Sequence, residues 1–142
     1  MLRLRTHLSR FLLIGLPILV SACATTTPSD PAGPAIAVAK SWQEALATRN
    51  FAQAFSLVAA DFASPAWRTR EDLRYYLVQA RDRNYFDPAA IAAEPLTGAV
   101  EGDHVVVYPV SIRSRAGVAV FRLTLALRDA EWKIVSATVE FY

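Results

Sequence analysis

The chain has 142 residues, 54 per cent of them apolar, with 15 basic and 13 acidic side chains, a formal charge of +2, one cysteine and two histidines. A single cysteine excludes an intramolecular disulfide, so the fold must be held by its core. The basic excess belongs to Arg3, Arg5 and Arg10: residues 23–142 carry 12 basic against 13 acidic groups, about −1, and this balance gives no case for binding nucleic acid.

The first 22 residues read as an export signal. Three arginines without an acidic residue precede an apolar run, Phe11 to Val20, which ends in small residues. At ten residues that run is shorter than the roughly 20 a membrane-spanning helix needs. The stretch Leu19-Val20-Ser21-Ala22-Cys23 resembles a bacterial lipobox. An ordinary secretory signal cut after Ala22 and a transmembrane anchor are the competing readings, and the two small residues directly before cysteine favour the lipobox. That resemblance implies cleavage after Ala22, diacylglyceryl on the Cys23 thiol and an acyl chain on the new amino terminus. Two or more chains anchor a protein stably without spanning the bilayer. Ala24 stands where an aspartate often marks inner-membrane retention in such lipoproteins, so the resemblance implies the outer membrane, facing the periplasm.

Residues 24 to 34 hold three prolines and no bulky apolar side chain, which reads as a flexible tether. Residues 35 to 142 form one domain of ordinary size. In its first half Val38, Trp42, Ala45 and Leu46 share a helical face. After a break at Arg49-Asn50, Phe51, Phe55 and Val58 share another. Ser64-Pro65 interrupts the pattern. Thr69 and the carboxylates of Glu71 and Asp72 then supply acceptors for the free amides of a third helix, with Leu73, Tyr76, Leu77 and Ala80 as its buried stripe and an end near Asn84, before Asp87-Pro88.

From Leu96 the period becomes two. Segments 96–100, 104–113, 117–128 and 132–141 are rich in β-branched and aromatic residues and are separated by turn clusters containing Gly102, Gly117 and Asp129. They predict an antiparallel meander of about four strands. Phe121, Leu123, Leu125 and Leu127 should face the core, with Arg122, Thr124 and Arg128 on the wetter side. Three helices followed by a curved sheet make an α+β domain with the helices on the apolar face.

The run Trp42 to Phe51, the segment Leu57-Val58-Ala59-Ala60-Asp61-Phe62 and the ending Ala130-Glu131-Trp132-Lys133-Ile134-Val135 resemble the nuclear-transport-factor-2-like superfamily, which includes ketosteroid isomerase and polyketide cyclases. The resemblance covers nearly all of residues 36–142 and implies a cone with a pocket between helices and sheet. Isomerase-like members use an aspartate base after the second helix and a tyrosine with a protonated acid as oxyanion site. Here Ser64 stands near the base position and Phe121 to Leu125 offers no acid, which disfavours that proton shuttle.

Trp42, Tyr76, Tyr108, Arg113, Trp132 and Glu140 are the candidate pocket-lining residues, each weighed against a plainer role in core or sheet edge. On simple alternation Glu140 shares a face with Trp132 and Ile134. Pointing into the cone, it would be a carboxylate with a raised pKa. His104, beside a Gly-Asp turn, reads as a solvated hairpin residue. It is the one histidine left after export, so no imidazole pair exists for zinc or a triad. Arg68, Arg70, Arg74, Arg81 and Arg83 are interleaved with Glu71, Asp72 and Asp82, the pattern of a salt-bridged surface. No cofactor, metal or catalytic residue is assigned. The expected partners are the membrane, through Cys23, and a small apolar ligand or an envelope protein. The alternative is a small periplasmic enzyme using Glu140, Tyr76 or Tyr108 as acid or base, and a third reading is a module that dimerises through the wetter sheet face.

Overall fold

The computed structural model describes residues 30–86, 89–92 and 94–142. The stretch read as an export signal, Cys23, the expected tether as far as Ser29, and Asp87-Pro88 lie outside them. Three helices, α1 (Gly33–Ala47), α2 (Phe51–Ser56) and α3 (Arg70–Asp82), precede five strands: β1 (Ala90–Ile91), β2 (Thr97–Glu101), β3 (His104–Ser114), β4 (Gly117–Arg128) and β5 (Glu131–Phe141). They form a curved antiparallel sheet with the helices packed on one face.

α1 begins at Gly33, inside the stretch that was expected to be tether. Pro34 sits in the first turn of α1, where its missing N–H removes nothing the helix uses, and the Asp30 carboxylate accepts from the Ala32 amide at 3.0 Å. Ala32 is buried because β2 carries glycine opposite it: a Cβ on Gly98 would lie 2.9 Å from the Ala32 Cβ and 3.0 Å from Ile36 Cγ1. The buried face of α1 is Ala35, Ala39, Trp42, Gln43, Ala45 and Leu46, with Val38 half-buried at its margin. Two alanines let the helix approach the sheet closely. Trp42 then fills the middle, edge-on to Phe121 of β4 at 4.9 Å between ring centroids.

The hairpin break falls at Arg49, whose φ is 60°, and the Asn50 side chain caps α2 by accepting from the Gln53 amide. α2 is shorter than its apolar spacing suggested. Val58 is not helical; it lies parallel to Ile134, with the Ala59 amide donating to the Ile134 carbonyl and the Ile134 amide to the Leu57 carbonyl, each at 2.9 Å. Buried beside β5 through this single bridge, Val58 satisfies the same apolar pattern. α3 begins with the expected capping box, Thr69 and Asp72 each accepting from the other's amide.

In the sheet β3, β4 and β5 are neighbours in that order, and the outer edge of β3 is shared end to end by β2 and β1. The two-residue β1 is the strand beyond the four expected; it is too short to carry a period. Two irregularities matter for every side chain beyond them. Along β3 the pairing with β4 shifts between Val107 and Val110, at the cis Tyr108–Pro109 bond. Along β5 it shifts because Thr124 pairs with Ser136 while Leu125 pairs with Ile134, leaving Val135 as an extra residue. A bulge of one residue reverses which face the rest of its strand presents. The buried positions of β3 accordingly change from Val105 and Val107 to Val110 and Ile112, and those of β5 from Ile134 to Ala137. Leu127, expected on the core face, is 53% exposed: β4 outruns the core at its turn end, where Arg128 and Asp129 follow.

Candidate functional site

α3 approaches α2 but nowhere comes within 8 Å of the sheet, Cα to Cα. Large side chains hold it off, and beyond the packed ones a space remains. A cavity of about 450 Å³ lies between α3 with its following turn (Tyr76, Tyr85, Phe86) and the β3–β4 end of the sheet (Ile112, Ser114, Ala116, Gly117, Ala119), closed on one side by Phe141 of β5. Its size falls in the range of small-molecule sites, and its walls are mostly aromatic and aliphatic. Tyr76 is braced by Trp67 at 5.1 Å and Phe86 by Phe51 at 5.8 Å, so two walls are fixed by packing. Tyr85 is 43% and Phe141 65% exposed, so these two wall residues also face solvent.

The polar side-chain groups of these lining residues are hydroxyls. Burial, then the neighbouring Tyr85, raise the Tyr76 pKa, so its hydroxyl stays protonated and can donate. Ser114 Oγ accepts from the Ala116 amide at 3.2 Å and shapes the hairpin turn. Among the described residues no carboxylate, imidazole, amine or guanidinium lines the cavity. Among the described residues no group of three His, Cys, Asp or Glu side chains could hold a metal.

Of the six pocket candidates, Tyr76 lies on the cavity wall. Trp42 is 1% exposed and belongs to the core beneath, while Trp132 is half-buried against that core. The remaining three occupy the opposite face of the sheet. Glu140 is there because the extra Val135 reverses the alternation that seemed to align it with Ile134. It is exposed, pairs across to Val120 and accepts from the Tyr142 hydroxyl. Tyr108 lies under the Arg122 guanidinium, 4.6 Å from ring centroid to Cζ, and Arg113 is exposed beside Val118. Two of the acid–base candidates, Glu140 and Tyr108, are thereby kept away from the cavity. Ser64 is used locally, its Oγ accepting from the Trp67 amide at 3.0 Å. His104 is partly exposed, with Nδ1 2.6 Å from Asp103.

The wall residues Tyr85, Phe86, Ile112, Ala119 and Phe141 carried no signal in the sequence. Ile112 and Phe141 acquire their facing through the bulges, and the first two follow the end of α3 without periodicity.

A second cleft of about 450 Å³ lies between the chain after α2 and the β4–β5 turn, with Arg70, Arg128, Lys133, Asp61, Asp129 and Glu131 around it. Most of its charge is internally matched: Arg128 holds Asp61 at 2.9 Å, Lys133 holds Glu131 at 2.8 Å, and Arg70 stacks on Phe55 while donating to its carbonyl at 3.1 Å. Arg128 lowers the Asp61 pKa, mainly through that hydrogen bond, with burial opposing. A carboxylate depressed in the fold contributes stability above its ordinary value of 3.8, and that contribution is lost as pH falls through the depressed value. Asp61→Asn should therefore lower stability at neutral pH and flatten the acid side of the stability profile. Denaturant titrations of both proteins at several acidic pH values would check this, and parallel profiles would rule the pair out as a contributor.

No protein-family model matches the sequence, and a search of curated proteins finds no match either. Solved structures do match. A protein of unknown function with a cystatin-like fold from Nostoc punctiforme superposes with a TM-score of 0.61 at 14% identity, over 77% of this chain and 89% of its own. An uncharacterized protein with a cystatin-like fold from Caulobacter vibrioides gives 0.59 at 9% identity, over 77% and 87%. An NTF2-like protein of unknown function from Pseudomonas putida gives 0.56 at 13%, over 73% and 81%. Likeness at these identities concerns the fold, which is the NTF2-like α+β cone; function has to be read from the site.

Proposed function

We propose that this chain is a lipid-anchored domain of the bacterial envelope that binds a small apolar ligand, with Cys23 as the point of attachment and the cavity between α3 and the sheet as the binding site. One observation carries the ligand half: an aromatic-walled cavity of about 450 Å³ whose polar side-chain groups are hydroxyls and which, among the described residues, no acidic or basic side chain lines. Such a surface gains by excluding water from an apolar ligand and can orient it through the Tyr76 hydroxyl. A proton-transfer enzyme needs an acid or base within hydrogen-bond reach of the substrate, and the carboxylate offered for that role, Glu140, lies on the other face of the sheet. The anchor half rests on the sequence before the domain.

Ala119 stands on the cavity floor between Ile112 and Phe141 in the sheet register. Ala119→Trp should fill the space. Small molecules co-purifying with the protein from its own membranes are expected by mass spectrometry for the parent and should be absent for Ala119→Trp; equal recovery from both would overturn the site. Cys23→Ser should abolish acylation and release or mislocalise the domain without lowering its unfolding temperature. Membrane attachment unchanged in that variant would overturn the anchor.

A further inference from the structure

The charged cleft beside the β4–β5 turn contains one cation whose donors the protein leaves largely unused. Arg128 is fully occupied: Nε and Nη2 hold Asp61, each at 2.9 Å, and Nη1 donates to the Leu127 carbonyl at 3.0 Å. Lys133 is divided between Glu131 at 2.8 Å and the Ser56 carbonyl at 3.2 Å. Arg70 lines the same cleft, half-buried, and among the described residues makes one hydrogen bond, from Nη2 to the Phe55 carbonyl at 3.1 Å. Its guanidinium also stacks on the Phe55 ring, with Cζ 4.0 Å from the centroid, so ring and carbonyl together fix its plane. The Nε of Arg70 is buried without a partner, and no carboxylate among the described residues pairs with this side chain.

A guanidinium presents five donors in one plane, and a carboxylate is an acceptor that matches this fork. A buried donor left without an acceptor is uncommon in a folded domain and marks a place where an ion or ligand belongs. Held by ring and carbonyl, Arg70 loses little freedom on binding, and its partial desolvation strengthens the attraction for an anion. The same surroundings limit how much charge that anion can carry. Asp61, Asp129 and Glu131 also line the cleft, and among the described residues no cation pairs with Asp129, so each further negative charge on a ligand is repelled. The cleft's volume of about 450 Å³ accommodates the rest of a small molecule. The geometry points to a second ligand site, in which Arg70 seats the single carboxylate of a small organic acid. This site shares no lining residue with the apolar cavity and stands independently of it.

Propionate, its neutral counterpart propionamide and inorganic phosphate test this by NMR on the full chain bearing Cys23→Ser, at constant ionic strength. The Nε–H signal of Arg70 is assigned by its loss in Arg70→Gln. Propionate should shift that signal saturably, with half-saturation at about 1–10 mM for so small a probe. The Nε–H signals of Arg68 and Arg115, both exposed, should not respond. Propionamide and phosphate should each bind roughly tenfold more weakly than propionate, the first for want of charge and the second for excess of it. Ala60 is exposed on the cleft wall, so Ala60→Glu adds a carboxylate there without disturbing the packing of Arg70 on Phe55. That variant should lose the propionate response at an unchanged unfolding temperature. A linear drift shared with Arg68, propionamide or phosphate binding as tightly as propionate, or a response that survives Ala60→Glu overturns the site.

Discussion

Trp42→Ala should cost about 3–5 kcal/mol, a large fraction of the roughly 5–15 kcal/mol by which a domain of this kind is stable. Trp42 is 1% exposed at the centre of the helix–sheet interface, and its edge-on contact with Phe121 adds to the area it buries. The alanines at 35 and 39 hold α1 against the sheet at a fixed distance, so the chain cannot collapse to refill the void. The indole nitrogen finds no hydrogen-bond partner, which separates the two contributions of this residue. Trp42→Phe keeps most of the apolar contact and removes the orphaned donor, so it should cost less than half as much as the alanine change. Urea titrations of the three proteins check both points. A loss below 1 kcal/mol for Trp42→Ala would mean that the core lies elsewhere.

Gly98→Val should destabilise the domain by about 1–3 kcal/mol, although valine is ordinarily the better strand residue. The reason is space. The added Cβ would lie 2.9 Å from the Ala32 Cβ, a rigid neighbour, so either α1 or β2 must move. Gly102 is the natural comparison, because nothing lies within 4 Å of a Cβ there and its φ of 67° is the sole objection to a side chain. Relief of the Gly98→Val defect by Ala32→Gly, measured as a double-mutant cycle, is expected to reach 0.5 kcal/mol or more for residues in direct contact. Strict additivity would show that helix and strand are not in contact at this point.

The two substitutions concern one property of the fold, the close seating of α1 on the sheet. This seating aligns the helix with β3, where the buried Gln43 side chain donates to the Ser111 carbonyl at 2.8 Å. α3 has no comparable alanine stripe facing the strands. It stands away from them, and the cavity is the space left between α3 with its following turn and the β3–β4 end of the sheet.

Reading along the chain was sufficient wherever a side chain's surroundings depend on its near neighbours. The helical stripe containing Trp42, the capping box at Thr69 and Asp72, and the strands after Leu96 are all local patterns, and each element stands in the fold where the spacing put it. The lipobox resemblance at Cys23 is also a local pattern, and it lies outside the described residues. What spacing could not resolve is the facing of residues beyond an irregularity in pairing. Val135 looks like any other strand valine, yet as the extra residue of a bulge it carries Glu140 away from the cone and turns Phe141 toward it. The shift at Tyr108–Pro109 likewise exchanges the facing of the second half of β3. Register belongs to a pair of strands rather than to one, and the distance between α3 and the sheet belongs to the packing of several elements at once. The cavity's existence and the make-up of its walls were therefore decided at the tertiary level, by which strand pairs with which and by how far one helix is held from the sheet.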